Sequence, residues 1–146
     1  MIQRIQTLFL LFVVALAAAL FSLPVFVTST TSTAKVVSAV PHMIQSDLLT
    51  SIVVALSGLT AFISIFLYRN RQRQTLLCRL NLLFILAALG LILQASDTSS
   101  LPRSVQVSVS YSLAVCFPVA QIVFNWLALR FIKKDDDLVR SAERLR

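Results

Sequence analysis

Residues 48–68 read LLTSIVVALSGLTAFISIFLY, with no charged side chain in 21 positions. As a helix at 1.5 Å per residue this stretch is about 32 Å long, enough to cross about 30 Å of hydrocarbon. It shows no sustained polar alternation. In lipid the backbone must satisfy its own hydrogen bonds, so an isolated run of this kind has to be helical.

Three further blocks resemble it: TLFLLFVVALAAALFSLPVFV (7–27), LLCRLNLLFILAALGLILQA (76–95) and VQVSVSYSLAVCFPVAQIVFNWLAL (105–129). The third in chain order carries Arg79 and Asn81 in its first turns. Arg79 is tolerable if it snorkels to the headgroups, whereas at mid-membrane it would cost roughly 3 kcal/mol. Across all 146 residues 58% are hydrophobic and 13% charged, against about a quarter charged in a soluble domain. The expected class is an all-α membrane protein, a four-transmembrane-helix bundle with a short C-terminal amphipathic cytoplasmic helix. Residues 1–134 form the bundle, with helices about 7–27, 48–68, 76–95 and 105–129, and residues 135–146 the tail helix. Small residues mark expected seams: Ala15, Ala18 and Ser22 on the first helix; Thr50, Ser57, Ala61 and Ser64 on the second; Asn81, Ala88 and Ala95 on the third; Ser108, Ser112, Cys116 and Ala120 on the fourth.

Lys and Arg orient the bundle. With both termini inside, the inner segments hold eleven (Arg4, Arg69, Arg71, Arg73, Arg79, Arg130, Lys133, Lys134, Arg140, Arg144, Arg146) and the outer segments two (Lys35, Arg103). This bias makes the formal charge of +7 mainly a topology signal, with attraction to anionic lipid heads second. Short loops offer no groove-reading or base-stacking element, so nucleic acid is not an expected partner. A first apolar run of 21 residues exceeds the 7 to 15 of a signal peptide core, so the first helix is expected to be retained despite the small-residue site Ser32-Thr33-Ala34.

Between the first two helices, TSTTSTAKVVSAVPHMIQSD (28–47) begins polar, and its VVSAV can pair as a short strand or lie at the interface; a passive connector is the simplest reading. The inner loop RNRQRQT (69–75) reads as a basic topology determinant.

Catalytic chemistry is thinly supplied. The single histidine, His42, makes neither a zinc site nor a haem pair. Cys78, in a juxtamembrane position, is open to lipidation, and Cys116 reads as a small packing residue; the two lie at different depths and form no CxxC pair. No Asp or Glu falls inside a span, which disfavours proton-coupled transport. The expectation is therefore no enzyme, no cofactor and no metal. The polar groups within the spans are uncharged: Asn81, Gln94, Gln121 and Asn125. They either hydrogen-bond between helices or line a path. Trp126 reads as an interface anchor.

The chain ends KKDDDLVRSAERLR (133–146). The aspartates suit a helix N-terminus, so a break is expected there, followed by a short helix with Leu138, Ala142 and Leu145 on one side. Contacts with a partner protein or the inner leaflet are expected at Leu138, Val139, Arg140, Arg144 and Arg146.

MIQRIQT running straight into an apolar helix, together with this ending, resembles the bacterial family called domain of unknown function 4293, found in the Bacteroidota and close relatives. The resemblance spans essentially the whole chain. Its terminal motif is Lys-Asp-(Asp/Glu)-x-Leu-Val-Arg-Ser-Ala-(Asp/Glu)-Arg-Leu-Arg, and Asp137 stands where that motif favours a small residue such as alanine. It implies a bacterial inner-membrane address and the same topology, and no activity. The functional expectation is a non-enzymatic accessory or assembly subunit presenting its tail to a partner or the leaflet. The second reading is a small homo-oligomeric transporter or channel with a polar uncharged path.

Overall fold

A computed structural model of the chain describes residues 2–32, 35–67, 70–97 and 106–144. Its elements are α1 (Ile2–Ser22), β1 (Phe26–Ser32), β2 (Lys35–His42), α2 (Leu48–Phe66), α3 (Arg71–Ala95), β3 (Gln106–Tyr111) and α4 (Cys116–Arg144). Single 3-10 turns, Ile44–Ser46 and Leu113–Val115, lead into α2 and α4. The protein is mostly helical with a small sheet, so the all-α expectation is corrected in that respect.

Two of the expected helices begin or end as strand. The first stops at Ser22 because Pro24 has no N–H to continue the ladder and biases Leu23 toward an extended backbone. The chain beyond it becomes β1. The fourth starts at Cys116, since QVSVSY (106–111) alternates polar and β-branched residues with period two, and such a segment buries one face as a strand. β1 is central in the order β2-β1-β3, antiparallel to both neighbours. Pro41, which cannot donate to a ladder, sits on the edge strand β2 opposite Val27. The α1–α2 connection thus forms a hairpin to which the α3–α4 connection adds a third strand.

The third expected helix is longer than its apolar block, because α3 opens at Arg71 and takes in most of the basic connector. The tail is also not separate. α4 passes through the three aspartates without a break, because Asp135 pairs with Arg71 (3.1 Å) and the Arg71 guanidinium donates to the Asp135 carbonyl (2.9 Å). Those contacts tie the aspartate turn to the start of α3 and keep it helical.

The helices form a square in which α1 packs on α2 and α4, and α3 on the same two. Their buried positions share one rhythm. On α1 they are Gln6, Leu10, Val13, Ala17 and Leu20; on α2 Thr50, Val54, Ser57, Ala61 and Ser64; on α3 Gln74, Cys78, Asn81, Ile85, Ala88 and Ile92; on α4 Pro118, Gln121, Asn125, Ala128 and Ile132. Alternating steps of three and four average 3.5 residues, the repeat that keeps a seam facing its partner in left-handed packing.

The α2 seam falls where small residues imply it. On α1, however, Ala15, Ala18 and Ser22 are exposed, and the seam uses Leu10, Val13 and Ala17 instead. Ala95 and Cys116 are exposed too, and Ser108 belongs to β3. Smallness alone does not mark a buried face where the residues around it are all apolar.

Three apolar layers fill the seam. Leu20, Phe26, Val54 and Ile92 pack at the sheet end, Val13, Ala61 and Ile85 in the middle, and Leu10, Cys78, Ala128 and Ile132 at the far end. α1 and α4 are further joined by Phe9 stacked on Phe131 (5.6 Å) and Phe12 on Phe124 (5.4 Å). Three segments are long and apolar enough to cross a membrane: Leu48–Phe66, Arg71–Ala95 and Leu113–Val139. α1 supplies the shorter apolar stretch Gln6–Ser22. Their outer faces expose Leu59, Phe66, Leu83 and Val123 among many other large apolar side chains.

α1 and α2 approach closely where a Cβ on Gly58 would lie 3.4 Å from the Ala17 Cβ. Gly58→Ala is expected to be near neutral in thermal unfolding in detergent, whereas Gly58→Leu overpacks the contact and lowers stability by about 1–3 kcal/mol.

Candidate functional site

Most of the polar groups that α2, α3 and α4 bring into the seam are linked to one another, and Gln121 bonds apart from them to α1. Asn81, fully buried on α3, accepts a hydrogen bond at Oδ1 from the Ser57 hydroxyl (2.8 Å). Thr60 Oγ1 lies 3.3 Å from the same oxygen, but its single proton is better placed for the Leu56 carbonyl at 2.8 Å. The Asn81 amide points across the bundle to Asn125 Oδ1 at 3.5 Å, a long contact. Asn125 in turn donates to the Cys78 carbonyl at 2.8 Å. Gln121, one turn away on α4, donates to the Val13 carbonyl of α1 at 3.3 Å. Two turns from Asn81 and Ser57 toward the end of the bundle remote from the sheet, Gln74 donates to the Ser64 carbonyl (3.2 Å), and the Ser64 hydroxyl meets the Cys78 thiol (3.2 Å).

These bonds join α1 to α4, α4 to α3 and α3 to α2. Several end on helix carbonyls, whose second lone pair is free after the intrahelical bond is made. Each amide is used as a staple between helices.

Of the four amides expected within the spans, Asn81, Gln121 and Asn125 come together here. Gln94 does not: it is exposed near the sheet end, beside Leu91 and Ala95. The fourth position of the set belongs to Gln74, which lies in the basic connector RNRQRQT. Its signal is the rhythm 74-78-81-85-88-92, which runs unbroken into that connector. Gln6 was missed likewise; it is buried on α1, and its Nε2 has no partner among the described residues. Cys78 is fully buried, which removes it as a lipidation site, and Cys116 is exposed at the start of α4 rather than packed mid-span.

The other polar cluster lies beneath the sheet. His42 stacks on Phe26 (4.4 Å between centroids) and its Nε2 meets Asp47 Oδ2 at 3.2 Å. Ser46 stands nearby, which assembles the residue types of a hydrolytic triad. Its Oγ is 3.4 Å from both ring nitrogens, hence over the ring edge and aligned with neither lone pair, and its hydroxyl donates to the Met43 carbonyl. The cluster fastens the end of β2 to the start of α2. No group of three metal-binding side chains occurs among the described residues.

At the end remote from the sheet, the last nine described residues of α4, Asp136–Arg144, continue beyond the Arg71–Asp135 pair. Leu138 and Val139 are exposed there. Arg140 and Arg144 lie on the helix, their side chains outside the described set, and Arg146 lies outside the described residues.

The family model described as "Domain of unknown function (DUF4293)" matches residues 2–145. The chain belongs to this family. No curated protein and no solved structure matches it. Membership in DUF4293 supplies no activity, so the chemistry rests on the residues themselves, and the described set is built for cohesion between helices.

The members of the set differ in what their loss exposes. Gln121→Leu removes one bond and is expected to cost about 0.6 kcal/mol, the mean for such contacts in membranes. Asn125→Leu leaves both the Asn81 amide and a carbonyl lone pair without their contact and should cost about 1–3 kcal/mol. Gln94→Leu should be silent. Gln6→Met, which removes a buried amide without a partner, should raise the unfolding temperature. Thermal unfolding of the purified variants in one detergent checks this order.

Proposed function

We propose that this chain is a non-enzymatic integral protein of the bacterial inner membrane, with both termini cytoplasmic, that serves as an accessory or assembly subunit. The observation that carries the reading is the overhang of α4. The nine residues Asp136–Arg144 extend about 14 Å past the level at which α3 begins. A short helical end is marginal in water unless it packs on something, so a continuous, ion-pair-anchored one with exposed Leu138 and Val139 is best explained as one half of a contact. The partner is a protein offering an apolar groove with acidic edges to complement the basic residues of this tail.

The belt dimensions support the membrane address. Arg79 to Ala95 spans about 24 Å and Leu48 to Phe66 about 27 Å along the helix axis, slightly under a mean hydrocarbon core. Arg79 and Arg130 at the inner rim can snorkel across the difference. The sheet then faces outward and the basic end inward, as the distribution of Lys and Arg requires.

The transporter or channel reading is the weaker one, because Asn81, Gln121 and Asn125 spend their hydrogen bonds on other helices and Gln94 lies apart from them.

A photo-crosslinking side chain placed at Leu138 is expected to give one discrete protein adduct in cells, whereas the same probe at the outward-facing Leu83 gives none. Truncation after Asp135, which keeps the Arg71 pair, should leave membrane insertion intact and abolish co-purification of that adducted protein. Equal adducts at both positions, or co-purification unchanged by the truncation, would contradict the reading.

A further inference from the structure

Between α3 and α4, at the end remote from the sheet, two adjoining cavities share Arg79 and Lys133 as walls. The one nearer the bundle centre, about 340 Å³, is completed by Trp126, Leu129 and Arg130. The one nearer the helix ends, about 280 Å³, is completed by Arg71, Gln72, Thr75, Leu76 and Asp136. We infer that this double cavity is a binding site for the headgroup of one anionic glycerophospholipid, its phosphate held by Arg79, Arg130 and Lys133.

The charge count selects the ligand class. The inner cavity has three cations and no carboxylate on its walls. In the outer cavity Arg71 is already neutralised by Asp135, which leaves Asp136 against the shared cations. Among the described residues no carboxylate lies within ion-pair distance of Arg79, Arg130 or Lys133. Three cations around one concavity repel each other in the empty site, and an anion relieves that cost. Thr75 lies where the distal headgroup would reach, and its hydroxyl oxygen can accept a hydrogen bond from a hydroxyl group.

Position distinguishes a lipid from a soluble phosphate. Arg79 is eight residues into α3, about 12 Å from its start, and Arg130 is five residues before Asp135. Both therefore sit at the rim of the apolar belt and not at the tips of the helices. The Arg130 guanidinium lies 5.7 Å from the centre of the Trp126 ring, which gives the site an aromatic floor at the depth favoured by interfacial tryptophans. Beyond Trp126 the outer surface continues through exposed Val123 on α4 and Leu80 and Leu83 on α3, a path for acyl chains and none for a free anion. Basic clefts between helices at the cytoplasmic face are the setting in which acidic headgroups are held specifically.

This inference rests on the membrane reading above, and the test separates the two. The full-length chain is reconstituted in nanodiscs containing phosphatidylglycerol, phosphatidylethanolamine and phosphatidylcholine of matched chains, then released, and its retained lipids are counted by native mass spectrometry. One phosphatidylglycerol per chain is expected, enriched about tenfold or more over the other two lipids. Arg79→Gln combined with Lys133→Gln should remove that enrichment, and Lys133→Gln alone, which leaves the apolar belt untouched, should weaken it at least threefold. Arg73→Gln, an exposed cation of the same helix end outside the cavities, should leave it unchanged, and millimolar inorganic phosphate should not displace the lipid. Equal retention of the three lipids, equal loss with Arg73→Gln, or displacement by inorganic phosphate would overturn the site. Failure of the chain to enter nanodiscs would overturn the membrane reading itself.

Discussion

The hydrogen bond from the Asn125 amide to the Cys78 carbonyl, with Asn81 beside it, is the contact on which the arrangement of the bundle depends. A seam of steps of three and four residues lined by Leu, Val, Ala and Ile packs almost equally well after a slip of one repeat. Dispersion contacts between small apolar residues change little with such a slip. A buried amide does not tolerate it, because a slip carries donor and acceptor past each other and leaves both without partners in a medium that offers no water. A few polar residues in the seam therefore select one register, at some cost in stability, as a single Asn does in coiled coils. Gln121 and Gln74 extend the same selection to α1 and α2.

The two ends of the bundle are finished differently. At one end the connections fold back on themselves as a three-stranded sheet, with Phe26 buried beneath it and His42 and Asp47 closing one edge. Val25 bridges the sheet at its base, donating to the His42 carbonyl and accepting from the Ser112 amide. This ties the end of α1 to the starts of α2 and α4. The other end has the α2–α3 connection, a concentration of cations and the end of α4, which runs past the start of α3. The proposed partner contact and the proposed lipid site both lie there, on successive turns of α4.

Much of this was legible in the residues. The four helices follow from block length and apolar content; of the amides expected within the spans, Asn81, Gln121 and Asn125 are buried between helices and Gln94 is exposed. What escaped had physical reasons. QVSVSY reads as part of a helix because Ser108 and the following Ser112 fall four apart, yet its valines and serines alternate with period two, the stronger signal for a strand. Pro24 inside an apparent span was a helix stop hidden by the apolar residues after it. The aspartates have low intrinsic helix propensity and suggested a break, but propensity yields to a tertiary ion pair, and Arg71 supplies one from 64 residues away. Gln74 and Gln6 were overlooked because charged neighbours made their segments read as water-facing. Extending the seam rhythm toward both chain ends would have found them.

The account holds that the interior amides serve cohesion, in a seam from which water is excluded. The most direct test is hydrogen–deuterium exchange of the Asn125 and Gln121 side-chain amides, followed by NMR on the protein in bilayer nanodiscs. Protection lasting hours, comparable to that of the backbone amides around them, is the predicted result. Exchange of both within minutes, while the surrounding backbone stays protected, would reveal a wet path through the bundle and contradict the account.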